Sequence, residues 1–229
     1  MIPNLTTFES RDALMSAAAE RMADALQAGI AARGSACIAL SGGSTPAPAY
    51  ACLAAMTLDW PKVMLALVDE RFVPVTDEAS NEALVRRTMA DAFAAGAGFE
   101  PMFAPLPAVA EAADAAEPAY RKLTIDVALL GMGEDGHTAS WFPGVPALGN
   151  ALDLSNPRTV MAVHAPQAAG SPDRLTLTRS AISRAGRVIL LITGDEKRAR
   201  LEQALQNSDA PVSALFAPNM PAPEALWAA

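Results

Sequence analysis

The stretch ACIALSGGSTP, residues 36–46, joins a short apolar run to a glycine-rich turn and a proline. Five consecutive apolar residues fit a strand buried on both faces, which is typical of parallel sheets. Pro46 suits the first position of a helix, and Pro46–Met56 has a helical composition. The stretch therefore predicts a strand, a tight loop and a helix in succession.

Outward from this stretch, apolar runs keep alternating with longer alanine-rich segments. The predicted strands are Ala36–Ser41, Val63–Asp69, Ile125–Gly131, Thr159–His164 and Val188–Thr193. The predicted helices are Ser10–Ala32, Pro46–Met56, Ser80–Ala95, Val109–Lys122 and Glu196–Gln206. This order predicts an α/β fold of the Rossmann-like kind: a doubly wound, mostly parallel sheet with helices on both faces. We interpret Ala94–Ala119, which is poor in large hydrophobic residues, as a surface excursion within one domain spanning residues 1–229.

Composition excludes several classes of protein. The 229 residues are 52% hydrophobic, enough for a sizeable core, so an intrinsically disordered chain is not expected. With 25 acidic and 17 basic residues the formal charge is −8, and no basic block offers a footprint for nucleic acid or an anionic membrane. Cys37 and Cys52 are expected to be buried small hydrophobes rather than a disulfide or a zinc site.

The amino-terminal residues do not resemble a targeting segment. Glu9, Arg11 and Asp12 interrupt the opening stretch, and no basic region precedes it, so we expect a cytoplasmic protein. The longest apolar runs, such as Val188–Ile192, are far shorter than the roughly 18 residues that cross a bilayer. We therefore expect no membrane-spanning segment.

The first of three motifs at predicted strand ends is SGGSTP, residues 41–46. Gly42 and Gly43 let the backbone approach a ligand closely, Ser44 and Thr45 offer hydroxyls, and amides at a helix start favour an anion. The motif has neither the lysine of a P-loop nor the spacing of GxGxxG, so it does not indicate a nucleotide. An ordinary capped glycine turn is the alternative.

The second motif is DERFVP, residues 69–74, followed by Ser80 and Asn81. Two carboxylates and a guanidinium at the end of a buried strand are costly unless they are paired or used. The motif therefore marks a candidate site, and the alternative is a structural ion pair between Asp69 and Arg71.

The third motif is GMGEDGHTASWFPG, residues 131–144, which holds one of the two histidines. His137 suits proton transfer near neutral pH, and Asp135 is close enough to orient it. The alternative is a loop histidine without a chemical role. His164, at the end of an apolar run, is expected to be a packing or capping residue and is only a reserve candidate.

Together, the three motifs closely resemble those of the 6-phosphogluconolactonases of the pentose phosphate pathway. The resemblance continues through PDRLTLT, residues 172–178, and GDEK, residues 194–197. The end of the chain departs from it, because Asn219–Ala229 is short and interrupted by prolines where the family has a more regular element. The sequence therefore does not predict how that segment packs.

The resemblance implies an enzyme that hydrolyses 6-phospho-D-glucono-1,5-lactone, a small-molecule sugar phosphate, without a cofactor or metal. It implies His137 as the acid/base residue and, less firmly, Asp69 as an orienting carboxylate. The residues implied to bind the phosphate and the lactone oxygens are Gly42, Gly43, Ser44, Thr45, Arg71, Arg174 and Lys197. A carboxylate cage for a metal, formed by Asp69, Glu70 and Asp135, is a minor alternative.

Two competing functions remain to be weighed. The related glucosamine-6-phosphate deaminases use a further glutamate soon after the histidine, in a sequence like FNEP, whereas Ser140–Pro143 contains no carboxylate here. A non-catalytic sugar-phosphate sensor would keep the glycine-rich loop but could dispense with His137. Both comparisons favour the lactonase. The sequence leaves the oligomeric state open.

Overall fold

A computed structural model describes all residues, 1–229, as two β-sheets with flanking helices. The strands are β1 (Leu5–Thr7), β2 (Ala36–Leu40), β3 (Val63–Leu67), β4 (Asp69–Arg71), β5 (Gly98–Phe99), β6 (Val127–Leu130), β7 (Val160–His164), β8 (Asp173–Leu177), β9 (Arg187–Thr193) and β10 (Glu224–Ala228). The helices are α1 (Arg11–Arg33), α2 (Ala47–Ala54), α3 (Asn81–Thr88), α4 (Ala90–Ala94), α5 (Val109–Tyr120), α6 (Leu148–Leu152), α7 (Arg179–Ile182) and α8 (Asp195–Asn207). Short 3₁₀ helices span Trp60–Lys62 and Pro211–Phe216.

The larger sheet has seven strands in the order β1-β10-β9-β6-β2-β3-β5, and every neighbouring pair is parallel. β2 is buried along its whole length and lies between β3 and β6, which confirms the apolar run as a central strand. The chain leaves β2 toward β3 on one side and later returns to β6 on the other. Such a reversal of strand order opens a crevice at the carboxyl ends of the strands.

The smaller sheet has three antiparallel strands in the order β4-β8-β7. This corrects two predictions. The predicted strand Val63–Asp69 is divided at Val68, where the chain passes from the parallel sheet to the antiparallel one and the Val68 carbonyl accepts from Leu177 N–H. The predicted strand Thr159–His164 exists as β7, but it pairs with β8 and does not belong to the parallel sheet.

The carboxyl-terminal segment forms regular structure in spite of its prolines. β10 lies between β1 and β9 in the parallel sheet, and its last four residues are buried. Trp227 Nε1 donates to the carbonyl oxygen of Gly194 at 2.9 Å, and the guanidinium of Arg198 lies over the indole at 4.6 Å. This segment therefore carries an interior strand, which the sequence did not predict.

The helices follow the predictions with shifted boundaries. Ser10 caps α1 by accepting from Ala13 N–H, and Gly34 ends it in the left-handed conformation with φ 80°. The predicted helix Ser80–Ala95 is two helices divided at Met89, and the region predicted as an excursion contains the edge strand β5 and α5. No helix is long and apolar enough to cross a membrane.

One apolar cluster of 60 buried residues joins the parallel sheet to its helices. Cys37 lies inside it as predicted, and burial raises the pKa of its thiol to about 12. Cys52 is only half-buried, so its expected full burial is wrong. Both cysteines are free.

Candidate active site

A cavity of about 180 Å³, here called the site cavity, lies at the crevice where the carboxyl ends of β2, β6 and β9 face the small sheet. It receives residues from all three motifs of the sequence and from two later segments. Its lining is Ser41, Gly42, Gly43, Thr45, Pro46, Asp69, Arg71, Asn81, Gly131, Met132, Gly133, His137, Ala139, Arg174, Leu191 and Lys197. Of the predicted site residues, only Ser44 and Asp135 lie outside this lining.

The glycine loop, residues 41–46, connects β2 to α2 and forms one wall of the cavity. Gly43 has φ 94°, a conformation that favours glycine. Gly42 lies against the carboxamide of Asn81, so that a Cβ at this position would be 1.8 Å from Asn81 Oδ1. Ser44 is exposed on the outer side of the loop, while Thr45 faces the cavity. The loop thus presents backbone and one hydroxyl to a ligand.

Three cations converge on the cavity without carboxylate partners. Arg71, Arg174 and Lys197 form none of the eleven ion pairs of the chain. The alternative of a structural ion pair between Asp69 and Arg71 is therefore wrong. Three cations against the single carboxylate of Asp69 leave the cavity with an excess of positive charge in a chain of charge −8, which favours an anion there.

The two arginines are neighbours across the small sheet, since Arg71 on β4 is in register with Arg174 on β8. Arg174 is buried and donates through Nε to the Ser171 carbonyl at 2.8 Å and through Nη2 to the Ala169 carbonyl. Arg71 Nη1 donates to the Ala79 carbonyl, and its buried Nε has no partner. Burial lowers the pKa of Arg174 below its usual value. The carboxylates of Asp69 and Glu70 oppose this shift, and the charge of Arg71 adds to it.

Asp69 is buried at the floor of the site cavity. Its Oδ2 accepts from Ser140 Oγ at 2.7 Å, and its backbone carbonyl accepts from Asn81 Nδ2 at 2.7 Å. Ser140 follows Ala139, which has the left-handed φ of 47° that a β-carbon disfavours. Asp69 therefore ties the histidine-containing loop to the start of α3.

Glu70, the next residue, does not line the site cavity and accepts hydrogen bonds from the start of α3. Its carboxylate accepts four hydrogen bonds of 2.7–3.1 Å, from the backbone N–H groups of Arg71, Asn81 and Glu82 and from Ser80 Oγ. Burial raises the pKa of Glu70 to about 7, while these hydrogen bonds act in the opposite direction. A carboxylate occupied in this way is a structural group and not a reserve base.

His137 is held on three sides. Asp135 Oδ1 contacts His137 Nδ1 at 2.6 Å and accepts from the His137 backbone N–H at 3.0 Å. The imidazole covers Gly133, where a Cβ would be 2.2 Å from Cε1, and it lies 4.4 Å from the ring centroid of Phe142. When Nδ1–H donates to Asp135, the lone pair of the neutral ring is on Nε2, which is the nitrogen of a base.

Asp135 remains a carboxylate over the whole neutral range. Burial acts to raise its pKa, but the hydrogen bonds from His137 outweigh burial and hold the pKa of Asp135 below its usual value. Asp135 reaches the site cavity only through His137, which accords with the orienting role predicted for it.

His164 is separate from this arrangement. Its imidazole is exposed on β7 and contacts Asp173 on β8, with 2.7 Å between Nδ1 and Oδ1. Packing, one of the two roles expected for this residue, is therefore wrong, because the side chain lies at the surface beside Asp173. No group of three or more His, Cys, Asp and Glu side chains is arranged to hold a metal ion, so the proposed carboxylate cage has no support in the geometry.

A family model described as glucosamine-6-phosphate isomerases/6-phosphogluconolactonase matches residues 9–227. The chain belongs to this family. The match includes all of β10 except Ala228, so nearly all of the segment that departs from the expected pattern lies within the family's extent.

Individual members of the family align along nearly the whole chain. A 6-phosphogluconolactonase of Caulobacter vibrioides is 42% identical over 225 residues, 98% of this chain and 97% of the relative. One of Rhizobium meliloti is 44% identical over 215 residues, 91% of this chain and 90% of the relative. A crystal structure of a 6-phosphogluconolactonase from Shewanella baltica superposes with a TM-score of 0.92 at 33% identity, covering 98% of this chain and 97% of that one.

In this member of the isomerase and lactonase family, the motifs did not predict roles for three residues near the site. Ser140 bonds to Asp69, Phe142 packs on His137, and Asn81 contacts Gly42. Ser140 and Phe142 lie inside the third motif and Asn81 follows the second, so these positions were the available signal. The partners of Ser140 and Asn81 lie in other motifs, and the packing of Phe142 on His137 depends on how their shared loop folds; a linear sequence shows neither.

Proposed function

We propose that this chain hydrolyses 6-phospho-D-glucono-1,5-lactone to 6-phosphogluconate, the second step of the oxidative pentose phosphate pathway. The observation that carries the proposal is the placement of one oriented histidine, His137, in the same cavity as three unpaired cations. The relatives named 6-phosphogluconolactonase, at 37–44% identity, support this activity.

The substrate is a dianionic phosphate joined to a six-membered cyclic ester, and the cavity offers groups for both parts. The glycine loop brings Thr45 and its amides to one wall, while Arg71, Arg174 and Lys197 supply positive charge. Charge-assisted hydrogen bonds of this kind are the strong ones in proteins, and arginine matches phosphate with two parallel donors. These cations divide between the phosphate and the lactone oxygens.

The reaction needs a base and an acid but no covalent intermediate. His137 Nε2 removes a proton from water as the water oxygen attacks the lactone carbonyl carbon. The negative charge on the carbonyl oxygen is stabilised by cations and amides of the cavity. The bond from the carbonyl carbon to the ring oxygen then breaks, and the imidazolium returns its proton to that oxygen, which gives a carboxylic acid and a hydroxyl. Asp135 stabilises the imidazolium between these steps.

The deaminase alternative meets a specific obstacle in the structure. Phe142 lies in the stretch where those enzymes carry their extra glutamate, and its ring packs against His137. An apolar ring at this point supplies no carboxylate for ring opening and isomerisation of an amino sugar. The geometry therefore favours the lactonase.

A pair of assays on one preparation tests the proposal. Lactone disappearance, followed by NMR or pH-stat and corrected for spontaneous hydrolysis, should accelerate with enzyme concentration. Glucosamine 6-phosphate should release no ammonia under the same conditions. Ammonia release at a rate comparable with lactone opening, or no acceleration of lactone opening, would reject the assignment.

We also predict that residues 1–229 form one domain, that the protein is cytoplasmic, and that it binds neither nucleic acid nor a membrane.

A further inference from the structure

Asn81 has an environment that its position in the sequence does not explain. It is 1% exposed and lines the site cavity as the first residue of α3. Nδ2 donates to the Asp69 carbonyl oxygen at 2.7 Å, whereas Oδ1 is buried and has no hydrogen-bond partner. A buried acceptor without a donor is destabilising and rare, so the position of this side chain needs a structural explanation.

The reason lies in what the carboxamide contacts. The position that a Cβ of Gly42 would occupy is 1.8 Å from Oδ1, 2.3 Å from Cγ and 2.7 Å from Nδ2 of Asn81. The amide therefore fills the space that a side chain at position 42 would occupy, and it packs directly against the glycine loop. Its own backbone N–H is fixed by Glu70 Oε1 at 2.7 Å, so both ends of Asn81 are held.

We propose that Asn81 is a positioning residue. It fixes the distance between the glycine loop and Asp69, and it thereby sets the affinity of the site for the phosphate group. The bond to the Asp69 carbonyl and the contact with Gly42 link the two walls of the cavity through one side chain. This inference rests on the proposed function in so far as the glycine loop takes the phosphate. Asn81 should act on affinity and not on the chemical step, because His137 is positioned by its own contacts to Asp135 and Phe142.

Substitution of Asn81 tests the link. Asn81→Ala should weaken binding of both inorganic phosphate and 6-phosphogluconate, measured by calorimetry, by at least about threefold, and should lower kcat less than affinity. Asn81→Asp should weaken both further, since it replaces the donor to Asp69 and sets a negative charge against the loop. Arg87→Gly, at an exposed position in the last turn of α3, lowers helix stability outside the cavity; it is the control for a general loss of helix stability and should bind both anions as the parent does.

A double-mutant cycle with Gly42 tests whether the contact between Asn81 and Gly42 controls the affinity for phosphate. Gly42→Ala alone places a methyl group into the carboxamide and should reduce phosphate affinity by about tenfold or more. Adding Asn81→Ala removes the obstructing atoms, so the double variant should bind phosphate more tightly than Gly42→Ala alone. Circular dichroism establishes that each variant is folded, and Asn81→Ser replaces Asn81→Ala if the latter is not.

The possible outcomes separate this inference from the function it rests on. If the folded Asn81 variants bind phosphate and product as the parent does, or if the double variant shows no recovery, the positioning role is wrong. If the parent binds phosphate but opens no lactone, the proposed function fails while the role of Asn81 stands.

Discussion

A single oxygen, Asp135 Oδ1, accepts from both the backbone N–H and the Nδ1 of His137, at 3.0 and 2.6 Å. The two bonds close a small ring that fixes the imidazole plane and leaves Nε2 as the basic nitrogen. The close packing of the imidazole on Gly133 and Phe142 removes its remaining freedom. This arrangement suits the role of general base that we propose for His137 and needs no third residue for it.

The first prediction concerns His137 itself. A general base typically contributes about 10²–10⁴ in rate, while the phosphate contacts do not involve it. His137→Asn should therefore lower kcat by at least about a hundredfold and leave the dissociation constant of 6-phosphogluconate within a few-fold. His164→Asn, which alters an exposed contact with Asp173 outside the site cavity, is the control and should retain its kcat. A folded His137→Asn enzyme with most of its kcat would move the role of base to another residue, with Asp69 the next to test.

The second prediction is a pH profile that follows from the lowered pKa of Asp135. A carboxyl group whose pKa is lower in the folded state contributes stability above its unfolded pKa, and this is lost only as the pH falls through the lower folded value. Asp135 should therefore stabilise the fold throughout the neutral range, so the free energies of unfolding of the parent and Asp135→Asn should differ at pH 7 and differ less as the pH falls into the acid range, measured by urea titration. Asp135→Asn should also lower kcat, because the imidazolium formed in the reaction loses its carboxylate partner. An unchanged kcat in the folded variant would show that Asp135 does not act on His137.

Glu70 permits a test that separates structure from chemistry. Three of the four donors around its carboxylate are backbone N–H groups, which cannot accept a hydrogen bond in return. Glu70→Gln turns one acceptor into a donor facing another donor, so at pH 8 the free energy of unfolding should fall by about 1–3 kcal/mol. Urea titration measures this change. Glu82→Gln, whose side chain only pairs with Arg86 in the next turn, should change stability far less.

The fold was largely predictable because its central parallel strands are continuous apolar segments that can be recognised in the sequence. The buried runs of β2, β3, β6 and β9 are continuous apolar segments, and each was expected within a few residues of its observed position. β10 was missed because its five residues follow Pro221 and Pro223, and only burial between β1 and β9 makes EALWA a strand. Local sequence does not show such a partner.

The site was predictable as a set of residues and less so as a set of contacts. The motifs contained nearly every residue that lines the cavity, since loops at strand ends converge there. The pairing of Ser140 with Asp69 spans 71 positions, and the assignment of β7 to the small sheet depends on register with β8. Both depend on contacts between separate segments of the chain, and the hydrophobic periodicity within one segment does not predict them.

The absence of a metal-binding cluster leads to a prediction about chelators. Nucleophile activation and charge stabilisation are both assigned to side chains and amides of this chain, so lactone opening should survive prolonged incubation with a chelating agent. The rate before and after chelation, with spontaneous hydrolysis subtracted, measures this. Loss of activity that one divalent ion restores would show that Asp69 and its neighbours hold a metal during turnover.

The last prediction assigns the phosphate to the unpaired cations. Each charge-assisted bond is worth roughly 1.5–3 kcal/mol, so Arg71→Ala, Arg174→Ala and Lys197→Ala should each weaken binding of 6-phosphogluconate, at least one of them by about tenfold or more. Arg71→Lys should restore only part of the loss, because an ammonium group cannot form the two parallel bonds of a guanidinium.

Lys62→Ala, which breaks an exposed ion pair with Asp59 and does not line the site cavity, is the control and should bind as the parent does. Arg174 also holds the carbonyls of Ser171 and Ala169, so its variant should lose stability as well as affinity, whereas Lys197→Ala should lose affinity alone. If all three variants bind the product with the parent's dissociation constant, the phosphate lies outside this cavity, and the unpaired cations need another explanation.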